Sequence, residues 1–200
     1  DVYLININGG VPKRLTYHGM FDRVLGWTPD GKSVLFSSSR ESGRQRYSQF
    51  YTIAIDGGSP SKLPIPYGEY ASFSPDGQKV AYTDRSRVNR NWKRYRGGTA
   101  PDISVFDLST YKTENITNNM ANDELPMWYS DAIYYMSDNG PDKRNNLWKY
   151  DLSSKVNTQL TYFKDYDITF PESGASDIIF EAGGKLYLYN LTLGLVSKSV

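Results

Sequence analysis

A β-propeller, all β and built of repeated four-stranded sheets, is the fold this sequence predicts, and three observations predict it. One phrase recurs five times in the 200 residues: an aromatic-rich run, an Asp or Asn turn, and a polar run that usually ends in Leu-Thr or a near equivalent. A second phrase runs between the copies: WTPDGKSVLF from Trp27, FSPDGQKVAY from Phe73, WYSDAIYY from Trp128 and FPESGASDIIF from Phe170. The copies of the first phrase end at Thr16, Pro64, Thr117, Thr161 and Val200, so 48, 53, 44 and 39 residues separate them. A period of ~40 to 50 residues carrying four short strands marks propeller blades.

The elements follow in order. VYLININGGVPKRLT, from Val2, supplies the outer two strands of one blade, residues 1–16. Four whole blades are expected at 17–64, 65–117, 118–161 and 162–200, a single partial propeller of about sixteen strands plus two. In Pro29-Asp30-Gly31 and Pro75-Asp76-Gly77, proline presets φ, Asp accepts backbone hydrogen bonds and Gly tolerates φ > 0, so the innermost strand reverses into its neighbour. The second strand then alternates: Val34 and Phe36 face one way and Ser33, Leu35 and Ser37 the other, as do Val80 and Tyr82 against Lys79, Ala81 and Thr83. Third and fourth strands join at Asp56-Gly57-Gly58, Asp107, Asp151 and Asn190. No window carries a period of 3.6.

Residues 1–16 lack the inner half of their sheet, so the sequence reads as a piece cut from something longer, with an unpaired backbone edge. A larger ring, closure of four and a half units into a small propeller, or pairing with another copy would each cover it. Wedge-shaped blades suit one ring size, which favours the larger ring.

Composition sets limits. Seventeen Tyr, eight Phe and four Trp are what twisted, half-buried sheets favour. With 23 basic and 22 acidic residues there is no global field to attract nucleic acid or an anionic membrane. No stretch approaches the ~20 apolar residues of a membrane span, and Asp-Val-Tyr-Leu does not open a signal peptide. The absence of cysteine removes disulfides and thiolate metal sites and leaves the redox compartment open.

No catalytic constellation is legible, and no cofactor or metal is expected. The one histidine, His18, sits on a connector without a Gly-x-Ser-x-Gly elbow beside it. The acid pairs Asp165/Asp167 and Asp123/Glu124 have no third ligand at a diagnostic spacing and read as surface residues of connectors. Asn115-Ile-Thr and Asn190-Leu-Thr match the glycosylation sequon and signify little without a secretory context.

The segment from Arg85 to Arg96 exceeds what a blade requires. It holds Arg85, Arg87, Arg90, Lys93, Arg94 and Arg96 with Trp92 and Tyr95 interleaved and no acid, a composition that taken alone fits phosphate pairing and base stacking. It lies in a loop between second and third strands, where neighbouring blades carry Arg40, Arg44 and Arg46, then Lys143 and Arg144. Equivalent loops emerge on one face, and the connectors reaching that face bring Asp22, Tyr67, Glu69, Tyr70, Asp123, Glu124, Asp165, Tyr166 and Asp167. So mixed a face suits peptide or protein docking better than a phosphate backbone. The candidate contact residues are Arg90, Trp92, Lys93, Arg94, Tyr95, Arg96, Arg44 and Arg46, as a domain or subunit contact, as guides for peptide carboxylates, or as solvated loop. A purely structural account also explains them: Trp92 and Tyr95 fold the loop back with arginines stacked on their rings, and Gly97 and Gly98 turn the chain. Leu25, Ala71, Met127 and Thr169, on the innermost strands, are expected nearest the central channel, whose lining they make apolar.

RLTYHGMFDRVLGWTPDGKSVLF (Arg14 to Phe36), WKRYRGG (Trp92 to Gly98), LPMW followed by IYYMSDNG (Leu125 to Gly140) and TYFKDYDITFP (Thr161 to Pro171) resemble the N-terminal six-bladed propeller of tricorn-type proteases. TolB-like and prolyl-peptidase propellers share the SPDG turns; WKRYRGG is the more specific element. The resemblance runs the length of the chain. It implies that one and a half blades precede these residues, and that a second, seven-bladed propeller, a PDZ-like module and a serine-protease core follow Val200. It further implies a hexameric, cytoplasmic enzyme that degrades oligopeptides, with the propellers shaping substrate entry or product exit. The expected partners are therefore the remaining blades, the downstream protease domains, oligopeptides and further copies of the chain, without nucleic acid or membrane insertion, and the segment itself is non-catalytic. The alternative is a free-standing, TolB-like interaction propeller of the periplasm with no peptidase attached.

Overall fold

The same local side-chain devices recur from blade to blade. In the computed structural model, which describes all residues except 44–46, 92–93 and 199–200, the half blade pairs β1 (Tyr3–Leu4) with β2 (Lys13–Arg14). Four antiparallel sheets follow, each with its strands in sequence order. They are β3 (Asp22–Trp27), β4 (Ser33–Ser38), β5 (Gln49–Ala54) and β6 (Ser61–Lys62); then β7 (Tyr70–Phe73), β8 (Lys79–Thr83), β9 (Ile103–Asp107) and β10 (Thr113–Asn115). The third is β11 (Asp123–Tyr129), β12 (Ala132–Ser137), β13 (Asn146–Asp151) and β14 (Val156–Gln159); the fourth is β15 (Ile168–Ser173), β16 (Asp177–Ala182), β17 (Lys185–Asn190) and β18 (Val196–Lys198). The fold is an all-β propeller arrangement of four blades, and no helix among the described residues is long and apolar enough to cross a membrane.

The turns work as their residues suggest. Asp30 Oδ1 accepts from Thr28 Oγ1 at 2.6 Å and from the Lys32 N–H at 3.1 Å, while Gly31 takes φ +67°. Ser74, Asp76, Gly77 and Gln78 repeat this between β7 and β8. At the third-to-fourth turn, Asp107 Oδ1 accepts from the Ser109 and Thr110 N–H groups, Asp151 Oδ1 from Ser153 and Ser154, and Asn190 Oδ1 from Thr192 and Leu193. The Ser109 hydroxyl at Asp107, and the Ser154 N–H with the Ser153 and Ser154 hydroxyls at Asp151, lead the bonds that hold these two carboxyls far below the usual carboxylate range.

The recurrent Leu-Thr has a structural meaning. Its threonine Oγ1 accepts an N–H at or beside the start of its blade's third strand: Val2 to Thr16 at 2.7 Å, Ile103 to Thr117 at 2.9 Å and Leu147 to Thr161 at 2.8 Å. The same hydroxyl donates to a neighbouring Asp or Asn, at 2.8 Å to Asp22, 3.1 Å to Asp102 and 2.9 Å to Asn146. The outermost strands β2, β10 and β14 are thereby latched to their blades at a buried end.

Alternation decides which blade each side chain touches. Val34, Phe36, Tyr51 and Ile53 pack on Val2 and Leu15 of the half blade, whereas Leu35 and Phe50 pack on Ala71, Val80 and Phe106 of the next. Ala81 and Ile103 meet Ile133, Tyr135 and Tyr150, and Met127, Tyr134 and Met136 meet Ile168, Ile178 and Phe180. The core is thus a series of layers between blades, removed from water at ~25 cal/mol per Å² of apolar surface.

Candidate functional site

The four innermost strands enclose a cavity of 130 Å³ lined by Val24, Leu25, Ala71, Met127, Phe170 and Glu172 among others. Three of these strands carry bulges, between Val24 and Gly26, Glu124 and Met127, and Thr169 and Glu172. A bulge inserts a residue and re-aims the side chains around it. Leu25, Ala71 and Met127 line the cavity as expected. Thr169 does not: its hydroxyl bonds Glu181, and Phe170, at φ +48°, takes the place expected for it. The lining also holds Glu172, whose carboxyl burial pushes up, so the wall is apolar with one acid rather than free of ionisable groups.

At one mouth of this channel lies the basic loop between β8 and β9. Arg90 pairs with Glu69, and its Nε donates to Ser86 O at 2.7 Å. The Arg94 Nη2 lies 3.0 Å from both Asp167 oxygens and its Nε donates to Lys143 O at 2.7 Å. Arg96 pairs with Asp138 at 2.9 Å. Arg87 stacks on the Tyr95 ring, 4.6 Å from its centroid, and donates to Thr99 O and Oγ1. Glu124 Oε2 accepts three donors from the loop: the Arg87 N–H at 2.6 Å, the Val88 N–H at 3.0 Å and Ser86 Oγ. The loop is therefore a strap, stapled to residues at or beside the starts of β7, β11 and β15. Of the eight candidate residues, Arg90, Arg94, Tyr95 and Arg96 come together in it; Trp92, Lys93, Arg44 and Arg46 lie outside the described residues. Across the same face, Arg40 holds both oxygens of buried Asp22 at 2.9 Å. Burial raises the Asp22 carboxyl, but hydrogen bonds from Ser38, Arg40 and Thr16 outweigh it and leave the group below its usual range.

Asp123 and Glu124 are not surface residues. They open β11 at 0% and 3% exposure. Asp123 Oδ2 accepts from Asn119 at 2.7 Å, and Oδ1 has no donor among the described residues. Burial pushes the Asp123 carboxyl up to about 6 against the pull of Ser137, Asn119 and Thr117, and pushes Glu124 up as well. One signal in the sequence pointed here: Asp22 occupies the equivalent position at the start of its own innermost strand. Among the described residues no three His, Asp or Glu side chains are placed to hold a metal ion. His18 is exposed, and its Nδ1 accepts the Met20 N–H at 3.2 Å. A rim groove of 530 Å³, walled in part by Tyr47, Tyr67, Asp84 and Thr99, had no counterpart in the sequence reading.

This fold is shared with known proteins. The chain is 25% identical over 191 residues to a tricorn protease homolog of Saccharolobus solfataricus, covering 95% of this chain and 17% of that protein. It is 26% identical over 197 residues to the tricorn protease of Thermoplasma acidophilum, covering 95% and 18%. The crystal structure of the tricorn protease superposes with a TM-score of 0.81 at 25% identity over 98% of this chain and 19% of that one. TolB from Acinetobacter baumannii superposes at 0.76 with 21% identity over 98% and 47%, a likeness of fold. The chain thus spans under a fifth of the length of these tricorn relatives. Residues 1–194 match the tricorn protease N-terminal beta propeller domain, and the chain belongs to that family.

Proposed function

We propose that this chain is the propeller segment of a tricorn-like serine protease and serves it, without catalysing, as a scaffold and as a gate for oligopeptides. The observation that carries the reading is the channel wall. Leu25, Ala71, Met127 and Phe170 offer a peptide apolar contact without the fixed charge pairs that would arrest it, and Glu172 is the one acid in that lining. Arg90, Arg94, Tyr95 and Arg96 stand at the mouth as contacts for peptide or for a neighbouring domain, and Trp92, Lys93, Arg44 and Arg46 belong to the same proposal. The Arg90 and Arg94 side chains are 44% and 39% exposed. Ion pairs so exposed are worth at most ~1 kcal/mol, so an incoming carboxylate can exchange with Glu69 or Asp167. The partners on this reading are the remaining blades, the downstream protease domains and other copies of the chain.

The test narrows the channel in the full-length protein. Val24→Trp and Phe170→Trp add bulk at exposed lining positions. Turnover of oligopeptides is expected to fall severalfold, while a short fluorogenic substrate that needs no passage is cleaved as before. Unchanged oligopeptide turnover in both variants removes the gate and leaves a scaffold.

A further inference from the structure

Two side chains that line one small cavity each keep a buried polar atom without a partner among the described residues. The cavity measures 30 Å³ and lies between the strap and the blade of β11, lined by Arg87, Val88, Asn122, Glu124, Met136 and Asp138 among others. Arg87 is 9% exposed and Asn122 3%; the Arg87 Nε–H has no acceptor and Asn122 Oδ1 has no donor. The rest of each side chain is committed. Arg87 Nη2 donates to Thr99 O at 2.9 Å and to Thr99 Oγ1 at 2.6 Å, with the guanidinium over the Tyr95 ring. Asn122 Nδ2 donates to Tyr95 O at 3.2 Å and to Asp138 Oδ2 at 3.1 Å, and these two bonds fix which way the amide points, so its oxygen is the atom left over. Buried polar groups in folded proteins are paired, with protein or with ordered water. A partner for this pair must accept from Arg87 and donate to Asn122. Chloride accepts but cannot donate, a sodium or ammonium ion cannot accept, and a water molecule does both. The volume agrees: about 10–15 Å³ admits one water, whereas a peptide side chain needs far more than this cavity holds.

We propose that this cavity is a binding site for one ordered water molecule, which accepts the Arg87 Nε–H, donates to Asn122 Oδ1 and so helps to hold the strap on the blade of β11. Its second hydrogen goes to Glu124 Oε1, because the strap's own three donors all converge on Oε2. Three hydrogen bonds are the usual complement of a buried water. Asn122 then ties both limbs of the strap to the residue before β11, the Tyr95 limb directly and the Arg87 limb through the water. In this way it sets where Tyr95 stands at the channel mouth. The water site goes beyond the gate reading above and does not depend on it.

The experiment is a crystal structure of the full-length protein at a resolution that shows ordered water. A peak within about 2.7–3.2 Å of both Arg87 Nε and Asn122 Oδ1 is expected. No peak with both side chains in these positions, a direct Arg87–Asn122 hydrogen bond, or a peak whose ligands and anomalous scattering mark an ion overturns the proposal. Val88→Ile gives a second measurement, because it adds one carbon at the cavity wall. The water should then be expelled and both polar atoms left unpaired, so protection of the Arg87 and Val88 amides against hydrogen exchange is expected to fall roughly 5- to 100-fold. Extra bulk in a dry apolar gap stabilises instead, so unchanged or greater protection overturns the water site. A peak that persists in Val88→Ile crystals while protection falls shows that the water does not hold the strap, and overturns that role.

Discussion

Single side chains in this propeller carry effects that differ in sign as well as size. Asp123 is fully buried, and its carboxyl lies at about 6 instead of 3.8. A carboxyl raised in the folded state contributes stability that is complete below its ordinary value and is lost as pH rises through about 6, the reverse of the usual acid-labile aspartate. Asp22, held below its ordinary range, acts the other way, and only as pH falls through the strongly acidic region. Between about pH 4 and 6 Asp123 therefore dominates of the two, and urea melts should show the chain losing up to about 3 kcal/mol across that window. Asp123→Asn should flatten the slope; a slope unchanged in the variant assigns it to another group. Phe36 tests packing instead. It is fully buried, stacks on Tyr51 at 5.6 Å and faces the half blade, so Phe36→Ala should cost about 3–5 kcal/mol in thermal melts. A loss below about 1 kcal/mol would place Phe36 outside a packed layer.

At the scale of elements, the outermost strands are short and their side chains mostly exposed, and three of them, β2, β10 and β14, are held by the threonine latch. Thr161→Val keeps the shape of the side chain and removes its hydroxyl, leaving the buried Leu147 N–H without its acceptor. An unsatisfied buried donor costs about 1–3 kcal/mol. The variant should lose that much stability and lose exchange protection first in β13 and β14. Equal loss of protection in all four blades would show that the latch is not local. The Leu-Thr repeat was visible in the sequence but its role as a latch was not, whereas local turns were: Asp107, Asp151 and Asn190 announce their turns, and Val34 and Leu35 their opposite faces. The channel was legible except where a bulge broke the period of two. Thr169 and Phe170 exchanged places because sequence alternation assumes an unbroken ladder. Asp123 and Glu124 were misplaced for a different reason. Glu124 is buried under a loop from the preceding blade, 36 to 38 residues away, and Asp123 is closed in by Asn119, Thr117 and Ser137; composition along the connector encodes neither. The same long-range pairing explains the basic loop, whose arginines looked available in sequence and are largely engaged by acids of three blades in the fold.

For the whole molecule, the question is whether this arrangement of blades can do chemistry on its own. Four sheets around a channel bring together side chains from distant parts of the chain, and that is how a propeller could assemble a hidden active site. The channel lining, however, offers Glu172 with no histidine beside it: His18, the only histidine in the sequence, lies on an exposed connector and spends its Nδ1 on the Met20 N–H. A general base needs a nucleophile or substrate proton within about 3 Å. The buried acids at the strap, Asp123, Glu124 and Asp138, are engaged with Asn119, the loop N–H groups and Arg96; among the described residues the one hydroxyl that donates to Glu124, Ser86 Oγ, has no histidine as its partner. The purified 200-residue chain should therefore cleave no member of a mixed fluorogenic peptide library at a rate above buffer. If turnover appears, His18→Ala and Glu172→Gln separate its sources: activity that survives both comes from a contaminating peptidase, whereas activity abolished by either would make the propeller an enzyme in its own right and end its reading as a scaffold and gate.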